Sequence, residues 1–323
     1  MEINADLMMP IPIDDLVNGV KIPCDVFVRL GGNHFVMLAA SGGTTQTEQL
    51  FNYQSKKVDY LWVSKKDYYK IVHQSTSLAG LIVNRKDVAD SQKADLLTRA
   101  TGTVMRQVEN LGLDLNTYAT ARHVAEAVFI LAEQHSGLTA LLESLKSASD
   151  YHLAHSMAVS VMSTILGQEL GYTKKATLEK LSLAGLLHDI GMKALPPEIA
   201  KKSMGEMSAE EIQKWETHPY RGMQMLQTLG VVPDDVIAIV YEHHENSIGQ
   251  GFPQQIRDVK LHPLGKIIAL ADQFAELTLP GPNTPMPKSA REALMHIEHT
   301  MKMPFNKECF RALRRSIEKE KAA

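Results

Sequence analysis

The stretch Leu178–Pro197, LEKLSLAGLLHDIGMKALPP, decides how the chain is read. Leu178, Leu181, Leu183, Leu186 and Leu187 predict a deeply buried helix over Leu178–Asp189. Gly191 stands where helices end, and Pro196-Pro197 cannot continue one. The helix therefore carries His188 and Asp189 to a buried end. An unpaired charge there would be costly, and a metal ion is one way to stabilise it.

Working outward, a helix is predicted over Tyr151–Leu170, closed by Gly171 and carrying His152 and His155. His218 follows in Glu216-Thr217-His218-Pro219. A helix over Asp234–Asn246, with Asp234 as the expected N-cap after Pro233, delivers His243, His244 and Glu245. Adjacent helical residues point about 100° apart, so two neighbouring histidines converge on one ion only near a helix end. The apolar helix Leu264–Leu277 holds one interior carboxylate, Asp272, among Ile267, Ile268, Leu270 and Ala271. Singly, each of these residues reads as a hydrogen-bonded core histidine, an exposed one (His152), or an acid paired with an arginine. Jointly, His155, His188, Asp189, His218, His243, His244 and Asp272 on successive apolar helices read as metal ligands. Imidazoles and carboxylates without thiolates suit iron, manganese or zinc. Seven donors exceed one tetrahedral zinc and match two ions sharing a carboxylate. Two ions about 3.5–4 Å apart bring a bridging water near neutral pKa, ready to attack a phosphoryl group in line.

The remainder of the chain bounds these expectations. It has 323 residues, 44% of them hydrophobic, and a net charge of -3. That allows a packed core and provides no general basic face for a nucleic-acid polymer. Two distant cysteines, Cys24 and Cys309, indicate no disulfide framework. No secretory leader and no membrane-length apolar run of ~18 residues stand out, so a cytoplasmic protein is expected. Residues 1–90 read as a small α/β regulatory or docking domain. Cys24–Leu30 and His34–Ala40 flank a Gly-Gly-Asn turn as a hairpin, Asp59–Val63 is a third strand, and Thr47–Asn52 and Lys66–Val72 are short helices. Residues 91–145 read as connecting helices, with helical patterns over Ala94–Gly112, Asn116–Gln134 and Gly137–Lys146. Residues 146–323 form the domain that carries the histidines. The fold class is mainly α. The loop Leu279–Lys288, LPGPNTPMPK, is expected to break helix and stay exposed.

From Tyr151 to Thr278 the motifs resemble the HD superfamily of metal-dependent phosphohydrolases, and within it the HD-GYP family of bacterial cyclic-di-GMP phosphodiesterases. The matching residues are His155 in HSMAV, His188-Asp189 in LLHDIG, His218 in THP, His243-His244-Glu245 in YEHHEN, Gly251-Phe252-Pro253, and Asp272 in IIALAD. The resemblance implies one ion held by His155, His188, Asp189 and Asp272. It implies a second held by Asp189 as bridge with His218, His243 and His244. Iron is the first expectation and manganese the second.

The departures fall around this set. Tyr151 stands where some members have a glutamate that supports a third metal, which favours two ions here. Met192 stands where a lysine usually follows HDIG, and Lys193, one place later, is the candidate catalytic lysine beside Asp189. Asn246, Ile248 and Phe252 replace the arginine, aspartate and tyrosine of the signature loop. LTLPGPNTPMPK offers no Arg-Pro-Tyr, and Ala275 replaces a second aspartate. Losing one positioned electrostatic donor typically costs ~10²–10³ in rate. The expected function is hydrolysis of cyclic-di-GMP to pGpG or GMP. The alternatives are a weak or inactive module that binds metals and a phosphate-bearing ligand for signalling through protein partners, and a phosphohydrolase acting on another nucleotide.

Overall fold

The computed structural model describes residues 2–319 apart from 14–15, 17–19, 45–51, 54, 135–141, 144 and 147–149. The expected helices at Thr47–Asn52 and Gly137–Lys146 fall largely outside the described residues. Four strands form first: β1 (Met8–Pro12), β2 (Val26–Gly31), β3 (His34–Ala39) and β4 (Tyr60–Ser64). They make one antiparallel sheet in the order β1-β4-β2-β3. Alternation in VFVRLG and HFVMLA produces the β2–β3 hairpin, whose turn needs the left-handed backbone of Gly32 (φ +49°). β1 was not expected, because MMPIP carries two prolines. It sits at the sheet edge, the position where a strand tolerates missing N–H donors.

Helices dominate the rest: α1 (Tyr68–Val83), α2 (Asp90–Leu111), α3 (Leu115–Gln134), α4 (Tyr151–Glu169), α5 (Lys175–Leu187), α6 (Ala209–Trp215), α7 (His218–Thr228), α8 (Asp234–Glu242), α9 (Pro263–Thr278), α10 (Ala290–Met295) and α11 (Lys307–Lys319). The expected short helix at Lys66–Val72 is instead a 3-10 turn followed by the sixteen-residue α1. Tyr68 at its start donates from its hydroxyl to the Thr103 carbonyl at 3.0 Å, tying α1 to α2. A continuous apolar core runs from Met9 and Ile11 in the sheet to Leu313 in α11. Among the described residues, no helix is long and apolar enough to cross a membrane.

The centre of the helical part is α4, buried on almost every face and packed along α5 and α9. Small residues permit the close α4–α5 crossing. A Cβ on Gly185 would stand 2.6 Å from the Cα of Ser160. Ser160 donates to the Ser182 carbonyl at 2.7 Å, and Ser182 donates to the Ala125 carbonyl of α3 at 2.6 Å. These hydroxyls satisfy themselves on backbone oxygens, so they enter the core without an unpaired donor. Leu166, Leu181, Leu187, Ile267 and Phe274 are fully buried around them. Each large side chain contributes about 1.5–3 kcal/mol by burial.

Candidate metal centre

Helix ends place most of the histidines. α5 stops at Leu187, so His188 caps it and Asp189 begins the turn at Ile190–Ala194. α6 ends at Trp215, and His218 opens α7 with Pro219 as its second residue. α8 runs only to Glu242, shorter than the expected Asp234–Asn246, and Pro233 rather than Asp234 is its N-cap. This early end lets His243 and His244 leave the helix together and face the same cluster. His155 comes from the second turn of α4 and Asp272 from the middle of α9. His152 is exposed.

The seven residues converge as two groups: His155, His188 and Asp272, and Asp189, His218, His243 and His244. In the first, His155 Nε2 lies 3.2 Å from His188 Nε2 and 2.9 Å from Asp272 Oδ1. In the second, His218 Nε2 lies 3.1 Å from His243 Nε2. Asp189 stands between them. Its Oδ2 is 3.4 Å from His188 Nε2, while its Oδ1 is 3.2 Å from His218 Nε2 and 3.6 Å from His243 Nε2. Asp272 Oδ2 is 3.3 Å from His244 Nδ1, a second link between the groups.

The far sides of the rings fix which atom faces inward. His188, His218 and His243 each set Nδ1 against the carbonyl three residues upstream, of Gly185 (2.8 Å), Trp215 (2.8 Å) and Val240 (2.7 Å). A carbonyl only accepts, so Nδ1 carries the proton and the neutral ring presents its Nε2 lone pair to the cluster. Lone pairs facing each other at 3.1–3.2 Å repel unless positive charge lies among them. Donors about 2.1 Å from a common ion, at right angles, stand about 3.0 Å apart. The residues present therefore fit divalent ions bound by imidazole and carboxylate. Ring nitrogens anchored on their far side are the usual support for such ligands.

The electrostatics point the same way. Burial disfavours the charged form of His188, but Asp189 and Asp272 outweigh it and take the imidazole up to about 9, so without an ion the ring carries a second proton on Nε2, which a divalent ion would displace. Burial also opposes charge on Asp189, yet His188, His218 and His243 hold its carboxyl well below the usual range. For His244, burial and then His243 push the ring well down, so it stays neutral with the lone pair of one ring nitrogen available. His188 and His218 are wholly buried, whereas the side chains of Asp189 and His244 keep 26% and 20% exposure. The cluster is open to solvent on that side.

Aromatic rings and one carboxylate shape this opening. The Phe252 ring lies 4.5 Å from that of His244, and Trp215 lies 4.8 Å from His218, 5.3 Å from His244 and 5.6 Å from Phe252. The loop carrying Phe252 folds around Glu245, whose buried carboxylate accepts the backbone N–H groups of Gln254, Gln255 and Ile256. Gly251 has no room for a side chain, since a Cβ would meet the His244 carbonyl oxygen at 2.3 Å. Lys193 ion-pairs with Glu109 of α2. The loop Leu279–Lys288 is less free than expected. Leu279 is buried, Gly281 and Thr284 exchange backbone hydrogen bonds, and Asn283 accepts from the Met204 N–H at 2.7 Å.

Sequence reasoning missed the parts played by Trp215, Glu245 and Glu276. Trp215 precedes His218 by one helical turn, and Glu276 follows Asp272 by four residues. That spacing places Glu276 on the face that Asp272 presents to the cluster. Glu276 accepts from the Tyr151 hydroxyl, which also faces His155 Nδ1 at 3.4 Å. Burial, and then the Glu276 charge, hold the Tyr151 phenol far above its ordinary range, so it stays protonated.

A helical bundle enclosing paired histidine and aspartate groups defines the class: a helical domain built for divalent metal. The HD domain family model matches residues 130–305, more than half of the chain, and the chain belongs to that family. Its motifs place it with the HD-GYP members. It is 28% identical over 185 residues to the cyclic di-GMP phosphodiesterase PA4108 of Pseudomonas aeruginosa, covering 57% of this chain and 44% of that protein. It is 28% identical over 171 residues to a cyclic di-GMP phosphodiesterase of Thermotoga maritima, covering 51% and 46%. With the 3'3'-cGAMP-specific phosphodiesterase 1 of Vibrio cholerae it shares 32% identity over 133 residues, covering 40% and 30%. The matches span less than half the length of each of these relatives. Among solved structures it is similar to Bd1817, a HDG"Y"P protein from Bdellovibrio bacteriovorus, with a TM-score of 0.71, 19% identity, and coverage of 96% of this chain and 99% of that one. That likeness concerns the fold.

Proposed function

We propose that the chain is a metal-dependent phosphodiesterase that opens a cyclic dinucleotide, cyclic-di-GMP first, to its linear product. The observation that carries this reading is the division of the cluster by Asp189, with one oxygen toward each donor group. Two divalent ions there, iron or manganese by donor type, would supply Lewis-acid activation of water and of a phosphoryl oxygen. His155, His188 and Asp272 would hold one ion, His218, His243 and His244 the other, and Asp189 both. The partly exposed edge at Asp189 and His244 is the face on which a phosphodiester would lie. Trp215 and Phe252 border it with apolar ring surface that keeps bulk water from the histidines. Lys193 would reach the phosphate only after releasing Glu109. Residues 1–90 would serve as a regulatory or docking unit, joined by residues 91–145 to the metal-binding domain at 146–323, in a cytoplasmic protein.

The test is anaerobic purification followed by metal analysis and product analysis with cyclic-di-GMP and 3'3'-cGAMP. The expected result is two ions per chain and metal-dependent linear product, both lost in Asp189→Ala. Metal-replete protein that turns over neither dinucleotide would refute the enzyme reading. A second reading, a module that binds metals and a cyclic dinucleotide without hydrolysis, is favoured by Phe252 at the signature tyrosine and by the Lys193–Glu109 pair. Saturable binding in calorimetry without product would select it.

A further inference from the structure

Three of the buried histidines are oriented by a backbone carbonyl, but His155 is not. Its Nδ1 meets the Tyr151 hydroxyl oxygen at 3.4 Å, and that hydroxyl donates to Glu276 Oε2. A phenol can donate or accept, so by itself it would leave the His155 tautomer open. Glu276 removes the choice. With its single proton given to the carboxylate, Tyr151 can only accept from His155. The ring proton then sits on Nδ1, and the Nε2 lone pair faces Asp272 and His188.

We propose that Tyr151 and Glu276 are positioning residues that fix the tautomer and ring plane of His155, and so set the metal affinity of the His155/His188/Asp272 group separately from the other group. The proposal rests on the two-ion reading above. Three further observations carry it. The Tyr151 and His155 rings lie 5.4 Å apart with planes tilted by 32°, so the tyrosine also limits ring rotation. Gly281 presses on the tyrosine from the loop after α9, where a Cβ would stand 2.3 Å from the ring. Glu276 Oε1 is buried with no hydrogen-bond partner among the described residues, so no other donor competes for this carboxylate. Both Asp272 and Glu276 come from α9, four residues apart. One helix therefore supplies a donor to the group and the orienting acid of its histidine. In the other group His218 and His243 rely on backbone carbonyls, and His244 sets Nδ1 3.3 Å from Asp272 Oδ2, so no tyrosine and carboxylate pair stands behind them among the described residues.

The experiment is titration of the metal-free full chain with Mn2+ alone, followed by electron paramagnetic resonance, for the wild type, Tyr151→Phe, Glu276→Ala, Glu276→Gln and the Tyr151→Phe/Glu276→Ala double variant. Tyr151→Phe removes one hydroxyl and keeps the ring against Gly281, so the fold is retained, and thermal melting checks it. Tyr151→Phe and Glu276→Ala should each weaken one of two sites by about 10–100-fold and leave the other unchanged. The double variant should be no weaker than either single one, because both act through one chain of hydrogen bonds. Glu276→Gln, whose amide oxygen still accepts the phenol proton, should stay near the wild type. Folded variants that leave both sites unchanged, or weaken both equally, would overturn the proposal while the two-ion reading stands. A wild type that binds no Mn2+ would refute the two-ion reading and this proposal with it.

Discussion

A Gly191→Ala substitution would place a Cβ 2.0 Å from the carbonyl oxygen of His218 and 2.5 Å from the amide nitrogen of Gly222. Real Cβ atoms essentially never approach closer than 3.0 Å, so the turn after Asp189 and the first turn of α7 must separate by about 1 Å. Both obstructing atoms belong to backbone, and no rotamer change relieves them. The separation falls on the contact between Asp189 Oδ1 and His218 Nε2, now 3.2 Å. Overpacking of this kind costs about 1–3 kcal/mol. For a chain of this size that lowers the melting temperature by roughly 1.5–4.5 °C. A displacement of about 1 Å at a reacting centre also costs on the order of 10² in rate. Thermal melting and metal analysis of the purified variant check both effects. The expected result is a lower melting temperature and loss of the ion assigned to His218, His243 and His244. Gly222→Ala, whose Cβ would first meet a Val240 methyl at 3.0 Å, should be milder. Gly191→Ala with an unchanged melting temperature and full metal content would refute the reasoning.

Other expectations follow from the same geometry. Glu245→Gln turns a side-chain NH2, a donor, toward at least one of three partly buried N–H groups, at a cost of about 1 kcal/mol. Hydrogen exchange at Gln254, Gln255 and Ile256 should quicken, while α4 amides are unaffected. Burial raises the thiols of Cys24 to about 11 and Cys309 to about 12. The thiolate is the reactive form, so at pH 8 both should resist a thiol reagent, react faster as pH approaches those values, and react at once on unfolding. Lys193→Ala removes a partly exposed ion pair, so stability should change by less than about 1 kcal/mol. A fall in dinucleotide turnover at unchanged melting temperature would give Lys193 a role in the chemistry, and unchanged turnover would exclude one.

Much of the helical part was legible because its signals are local. The leucines of Leu178–Asp189 and the Gly171 stop belong to single helices and mark them without knowledge of neighbours, whereas Gly191 ends no helix: α5 stops at Leu187 and Gly191 lies within the turn Ile190–Ala194. The β2–β3 hairpin was legible for the same reason, since its turn residues lie between two alternating runs. β1 was not, because its strand character comes from pairing with β4 rather than from its own proline-bearing sequence. The seven residues of the cluster could be picked out by type and motif. What supports them could not. Glu276 reaches Tyr151 across 125 residues, and Glu109 reaches Lys193 across 84, through packing that no local pattern encodes. That His243 and His244 need a helix end nearby was legible from their adjacency, but the stop at Glu242 was not, because the apolar periodicity that defines α8 says nothing of the residue at which the chain must turn.

His155 and Asp272 touch although 117 residues separate them, and between them the cluster draws on the ends or interiors of α4, α5, α7, α8 and α9. Ions at such a junction would act as stitches through five helices. Their binding free energy would then count directly toward keeping the chain folded. In a cell short of the metal, the shortfall would be met not only by idle enzyme but by fewer intact molecules, as loosened chains fall to proteases. Metal supply would thus set how much of the protein exists.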